Sequence, residues 1–113
     1  MAVVSSHCLN GVDGTHAGGI AVRLVLAGTD QVVAATQSDA GGRLSIEFDA
    51  IDAGQAYDLI FETGAYWQGQ SLEGDHAIAE VVLRLNVPDP KARYHRPVIL
   101  SPNGYSTWAS KPE

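Results

Sequence analysis

Apolar and polar residues alternate with a period of two through most of this chain, the spacing of strands that bury one face. Arg43–Phe48 puts Leu44, Ile46 and Phe48 on one face, and Gln55–Glu62 does the same with Tyr57, Leu59 and Phe61. In Gly19–Ala27, Val22, Leu24 and Leu26 lie opposite Ala21, Arg23 and Val25. Ala77–Val87 sets Val81, Leu83 and Leu85 against Val82, Arg84 and Asn86. Further strands are predicted over Ala2–Cys8, Gln31–Thr36, Tyr94–Leu100 and Tyr105–Trp108. Turn chemistry separates them: Gly11-Val-Asp-Gly14, Gly28-Thr29-Asp30, Asp39-Ala-Gly-Gly42 and Ser101-Pro-Asn-Gly104. Pro88 and Pro90, which cannot donate to a ladder, close the longest run. Gly64–His76 loses the period and has room for one short helix at most. Eight short strands at intervals of roughly ten residues predict an all-β sandwich or barrel.

The 113 residues suffice for one domain, 1–113, and are too few for two. At 45% hydrophobic and 18% charged, the chain can build a core and does not belong to the disordered class. A formal charge of −6 without any Lys/Arg run removes the electrostatic basis for nucleic-acid binding. No apolar run reaches membrane-spanning length. The start lacks a basic stretch followed by an apolar core, and Lys111-Pro112-Glu113 is not a peroxisomal signal. The single cysteine, Cys8, excludes an intrachain disulfide and gives no sign of an oxidising compartment. The expectation is a soluble, cytoplasmic protein.

The glycine-rich turns lack the strand–turn–long helix context of a nucleotide site, and Cys8 has no catalytic signature around it. Of the four histidines, only His7 and His95 fall in predicted strands; His16 and His76 do not. A strand histidine is more often packed than catalytic on pattern alone. It is nevertheless the natural proton carrier near neutral pH.

Tyr94-His-Arg-Pro-Val-Ile-Leu-Ser-Pro-Asn-Gly-Tyr-Ser-Thr107 resembles the C-terminal signature of the 5-hydroxyisourate hydrolases, the enzyme branch of the transthyretin family. Ser6-His7-Cys8-Leu9-Asn10 is similar to that branch's N-terminal Thr-His-Val-Leu-Asp, and Asp39-Ala-Gly-Gly-Arg43 to its Asn-Ala-Asp-Gly-Arg turn. Glu62-Thr-Gly-Ala-Tyr66 and Ala79-Glu-Val-Val-Leu-Arg84 also resemble family segments. The resemblance runs in order along nearly the whole chain. It implies a transthyretin-like β-sandwich of about eight strands in two sheets. It implies catalytic roles for His7, Arg43 and His95, which match the family's two histidines and arginine. It further implies a homotetramer, a dimer of dimers with sites at the interface, and a small cyclic amide as substrate, with no metal and no organic cofactor.

Departures from the family pattern gather at the end of the chain. Trp108 stands in place of the tail tyrosine, Ala109 in place of the arginine, and Ser110 near the serine of the family's Tyr-Arg-Gly-Ser. By this resemblance Trp108 and Ser110 are substrate-binding candidates. An indole donates a hydrogen bond but cannot accept one as a phenol can, and losing a guanidinium removes bidentate recognition. His16 stands where the family usually has proline. Asn10 and Gly41 replace motif aspartates and read as surface drift. The expected activity is hydrolysis of a ring amide, 5-hydroxyisourate in purine breakdown. The alternatives are a related hydrolase for another cyclic amide or imide, and a non-catalytic carrier like the vertebrate hormone carriers of this fold.

Overall fold

The computed structural model describes residues 1–50 and 54–109. The first strand, β1 (Ala2–Asn10), alternates without a fault: Ala2, Val4, Ser6, Cys8 and Asn10 are buried, and Val3, Ser5, His7 and Leu9 look outward half-exposed. The strands β2 (Ala21–Leu26), β3 (Val32–Gln37), β4 (Arg43–Phe48) and β5 (Ala56–Phe61) follow. Next come the helix α1 (Thr63–Gln68) and β6 (Val81–Asn86), β7 (Arg93–His95), β8 (Val98–Ser101) and β9 (Gly104–Thr107). One sheet is ordered β4-β1-β8-β9, with β7 also on β1; the other is ordered β3-β2-β5-β6. The two sheets bury their apolar faces on each other, as predicted for a sandwich.

The inner faces follow the expected alternation. Leu44, Ile46 and Phe48 from one sheet meet Tyr57, Leu59 and Phe61 from the other, all buried. Phe48 and Tyr57 pack edge to face across the layers with ring centroids 4.9 Å apart. Burying each such side chain is worth roughly 1.5–3 kcal/mol. Tyr94 is fully buried, yet its hydroxyl donates to the Asp89 carbonyl and accepts from the Asp89 amide, so the phenol costs the core nothing unpaired.

Two elements differ from their sequence expectation. The run Tyr94–Leu100 is two strands, because Pro97 cannot donate to β1. Register is kept across the break: Val4 lies opposite Tyr94 and Cys8 opposite Val98, both parallel. The Ser6 hydroxyl donates to the Arg96 carbonyl at 2.7 Å, satisfying a group at the interruption. The run Ala77–Val87 is strand only over β6. Ahead of it, the Ala77 amide donates to Asn103 Oδ1 and the Ile78 amide to the Pro102 carbonyl, so these residues serve the β8–β9 turn instead of a ladder.

The short helix begins at Thr63, one residue before the irregular stretch identified in the sequence. Its Glu62 N-cap makes no capping bond, since the carboxylate is held by Arg23. Trp67 anchors α1 in the core. A Cβ at Gly64 would lie 2.8 Å from the Ala79 carbonyl oxygen, so a glycine is needed where the helix crosses that backbone. Among the described residues no helix is long and apolar enough to cross a membrane.

Candidate active site

The outward row of β1 carries the chemistry. His7 pairs in register with Arg43, the first residue of β4, on one side. Ser5 pairs with His95 of β7 on the other. Alternation therefore puts Ser5, His7, Arg43 and His95 on one outer face, although their positions are far apart in the chain. The structure brings together all three residues that the resemblance implied to be catalytic.

The turn before β4 fixes the arginine. Asp39 Oδ1 accepts from the Gly41 and Arg43 amides, each at 2.9 Å, and the Gly42 amide donates to the Asp39 carbonyl. Gly42 has φ 76°, and a Cβ there would lie 2.3 Å from the Cys8 carbonyl oxygen. Only glycine fits, because the turn must close tightly onto β1 to bring Arg43 beside His7. Arg43 makes no salt bridge among the described residues, whereas Arg23 and Arg84 each hold a carboxylate. Its guanidinium is exposed and unspent, available to a polar ligand.

His95 is half-buried, and its Nδ1 lies 2.8 Å from Ser5 Oγ. That bond fixes the ring and leaves Nε2 as the working nitrogen. The His7 pKa is lowered from its ordinary 6.5 by desolvation first, then by the charges of Arg43 and His16; the Gly41 carbonyl works the other way and His95 adds a small further lowering. A histidine so placed is neutral at pH 7 and can accept a proton. Cys8, the next residue, points inward, and burial pushes its thiol up to about 11. It is a core residue and not a nucleophile.

A cleft of about 620 Å³ opens beside this face, lined by Ser5, Arg43, Ser45, Arg93 and His95 together with Thr36, Gln37 and Asp39. The lining is mostly polar and includes two arginines, which suits an oxygen-rich, electron-rich ring. Among the described residues no cluster of three or more His, Cys, Asp or Glu could hold a metal ion.

Not every candidate lies here. Trp108 is half-exposed and lines a second cavity of about 310 Å³, with Ala109, Arg96, Leu83 and Leu85, between β6 and the end of β9. Within one chain the indole is therefore away from the cleft. Ser110 lies outside the described residues. Asn10 is not surface drift: it is 2% exposed, its Oδ1 accepts from the Val12 and Asp13 amides, and its Nδ2 donates to the Tyr66 hydroxyl. Gly41 is exposed, and its backbone amide is engaged, donating to Asp39 Oδ1. The sequence reading missed Ser5, although its place two residues before His7 on an alternating strand puts both on one face.

A sandwich with this strand order and a polar cleft on the outer face of its first strand is a transthyretin-type fold. The sequence pattern of the HIUase/Transthyretin family matches residues 4–109, and the chain belongs to that family. It is 31% identical to a 5-hydroxyisourate hydrolase of Ralstonia nicotianae, over 96% of this chain and 97% of that one. Among solved structures, the 5-hydroxyisourate hydrolase of Klebsiella pneumoniae superposes with a TM-score of 0.81 at 26% identity, covering 98% of this chain and 100% of that one. Sea bream transthyretin in complex with thyroxine also superposes with a TM-score of 0.81 at 26% identity, over 95% and 93% of the two chains.

Proposed function

We propose that this protein is a hydrolase that opens a cyclic amide, with 5-hydroxyisourate of the urate-degradation route as its substrate. The observation that carries the reading is the outer face of β1, where His7 has Arg43, held by no carboxylate among the described residues, on one side and His95 on the other. Hydrolysis of a ring amide needs a base for water, a cation or donor for the carbonyl oxygen, and an acid for the leaving nitrogen. Water oxygen bonds to the ring carbonyl carbon, and its proton goes to imidazole. Arg43 stabilises the oxygen as it gains charge, since it stays protonated and cannot serve as base. The ring C–N bond then breaks, and an imidazolium returns a proton to nitrogen. The His95 ring held by Ser5 and the neutral His7 supply the two proton-handling positions. No step requires a metal or organic cofactor.

The functional unit is a homotetramer, a dimer of dimers, in which Trp108 of one subunit meets the substrate in a neighbour's cleft. Two features favour this. The tail is the part of the signature that departs most, and in the single chain Trp108 is away from the cleft it would serve. Light scattering is expected to give about four times the 11.9 kDa chain mass at micromolar concentration; a stable monomer would remove the shared site.

The direct test is decay of freshly generated 5-hydroxyisourate, followed by ultraviolet absorbance, with and without purified protein. Rapid loss dependent on enzyme concentration is expected. Decay at the uncatalysed rate counts against the reading. Turnover of a different cyclic amide or imide would then favour the related-hydrolase alternative, which Trp108 and Ala109 in the tail support. Tight binding of an apolar aromatic without turnover would favour a carrier, the role suggested by the thyroxine-bound transthyretin.

A further inference from the structure

The His7 ring is not free at its tip. Its Nε2 lies 2.9 Å from His16 Nδ1, and the two rings are nearly parallel, 21° apart, with centroids separated by 5.0 Å. Local structure brings His16 there. The turn after β1 folds back so that Leu9 and His16 form an antiparallel bridge. The Asn10 amide donates to the Thr15 carbonyl at 2.8 Å and the Ala17 amide to the Cys8 carbonyl at 2.9 Å. Asn10 Oδ1 holds the Val12 and Asp13 amides, and Asp13 Oδ1 accepts from both the amide and the hydroxyl of Thr15. His16 is thus set on a fully hydrogen-bonded turn, at the position where the resemblance led us to expect proline.

Counting protons assigns the roles. One hydrogen lies between His7 Nε2 and His16 Nδ1. The Gly41 carbonyl, which can only accept, favours a proton on the His7 ring. With Nε2 engaged by His16, the nitrogen left for that proton is Nδ1. Neutral His7 therefore carries its proton on Nδ1, and its Nε2 lone pair receives the His16 Nδ1–H. Neutral His16 then has its own lone pair on Nε2. That ring is exposed, and Nε2 has no hydrogen bond among the described residues. The lone pair open to water belongs to His16.

We propose that His7 and His16 form a two-imidazole proton acceptor. His16 Nε2 takes the proton of the attacking water while His16 Nδ1 passes its own proton to His7 Nε2. The water loses one proton, His16 ends neutral with its proton on Nε2, and His7 becomes the imidazolium. The assignment rests on the hydrolase reading above for its substrate, and on ring geometry for the pair itself. The groups that face His7 are Arg43 from β4, His95 from β7, His16 and the Gly41 carbonyl. Three of the four disfavour a lasting positive charge on His7, so the borrowed proton is returned readily to the leaving nitrogen.

Two substitutions separate a relay from a prop. His16→Ala uncovers His7 Nε2, which can then take the proton itself; kcat is expected to fall about tenfold with KM little changed. His16→Asn puts an amide N–H where the imidazole Nδ1–H was, so it covers the His7 lone pair and relays nothing. It is expected to be slower than His16→Ala, about a hundredfold below the wild-type protein. Removing His16 also takes away the donor to the His7 lone pair, which raises the His7 pKa and moves the acid limb of kcat/KM to higher pH. Full activity and an unmoved acid limb in His16→Ala would overturn the proposal. So would wild-type kcat in His16→Asn, which would make His16 a prop only. Ring-nitrogen NMR titration reads the pair without any substrate. In the wild-type protein the two rings are expected to titrate as a coupled unit, and in His16→Ala the His7 ring titrates alone at higher pH. Coupled titration in a protein inactive on 5-hydroxyisourate would sustain the pair and sink 5-hydroxyisourate as the substrate. Independent titration of the two rings would overturn the pair whatever the activity.

Discussion

His95→Ala is expected to lower kcat on 5-hydroxyisourate by about 10²–10⁴-fold, the range for loss of a positioned general acid or base. The ring is held in place by Ser5 Oγ, 2.8 Å from Nδ1, so its other nitrogen works from a fixed position without losing rotamer freedom at each turnover. The effect should fall on kcat more than on KM, because proton transfer matters in the transition state and little in the bound ground state. Ser5→Ala gives the control. It leaves the imidazole present but unanchored, and should cost much less than removing the ring. Single-turnover rates on both variants check this; if His95→Ala keeps wild-type kcat, the ring has no part in proton transfer.

Arg43→Ala should reduce kcat by about 10²–10³-fold, the usual cost of removing a preorganised oxyanion donor. Its guanidinium has no acid partner among the described residues, so the charge is not neutralised before substrate arrives. Arg43→Lys separates charge from shape. Lysine keeps the charge but loses the planar fork, so partial activity with raised KM is expected. The alanine variant also removes a cation that lowers the His7 pKa. Its acid limb of kcat/KM should therefore move to higher pH, whereas a simple loss of binding would leave the limb in place. Equal rates in Arg43→Ala and the wild-type protein would exclude it from the site.

Much of this was legible in the chain. Period-two alternation in Arg43–Phe48 and Gln55–Glu62 gave the correct inner faces, since burying one side of a sheet leaves only that pattern. The same period cannot tell which backbone donors are claimed elsewhere. Ala77 and Ile78 therefore read as strand although Asn103 and Pro102 take their amides. For the site, alternation puts His7 and Ser5 on one face of β1, but nothing local says which face looks outward or that Arg43 and His95 flank it. Those facts depend on strand order, and only the resemblance supplied them. His16 was visible as a departure from the family pattern but its meaning was not. Its contact with His7 depends on a single bridge and a turn closed by side chains of Asn10 and Asp13. Trp108 was judged by what it replaced, whereas the position of its indole beside β6 follows from the β8–β9 pairing.

The seam between β1 and β7 also has a consequence in time. Ser5 and His95 are 90 positions apart, and β1 can close that edge only after residue 95 has been made. During synthesis at roughly 5–20 residues per second, β1 can pair with β4 within seconds of emerging while its other edge stays open. Parallel pairing of distant segments is slow, because the loop must be closed before any contact rewards it. The sandwich can thus begin to form early, but its chemistry waits for β7, long after β1 and β4 have been made. A nascent chain halted before residue 95 has Arg43 and His7 and no partner for Ser5. Catalytic competence in this protein therefore waits until translation has passed residue 95.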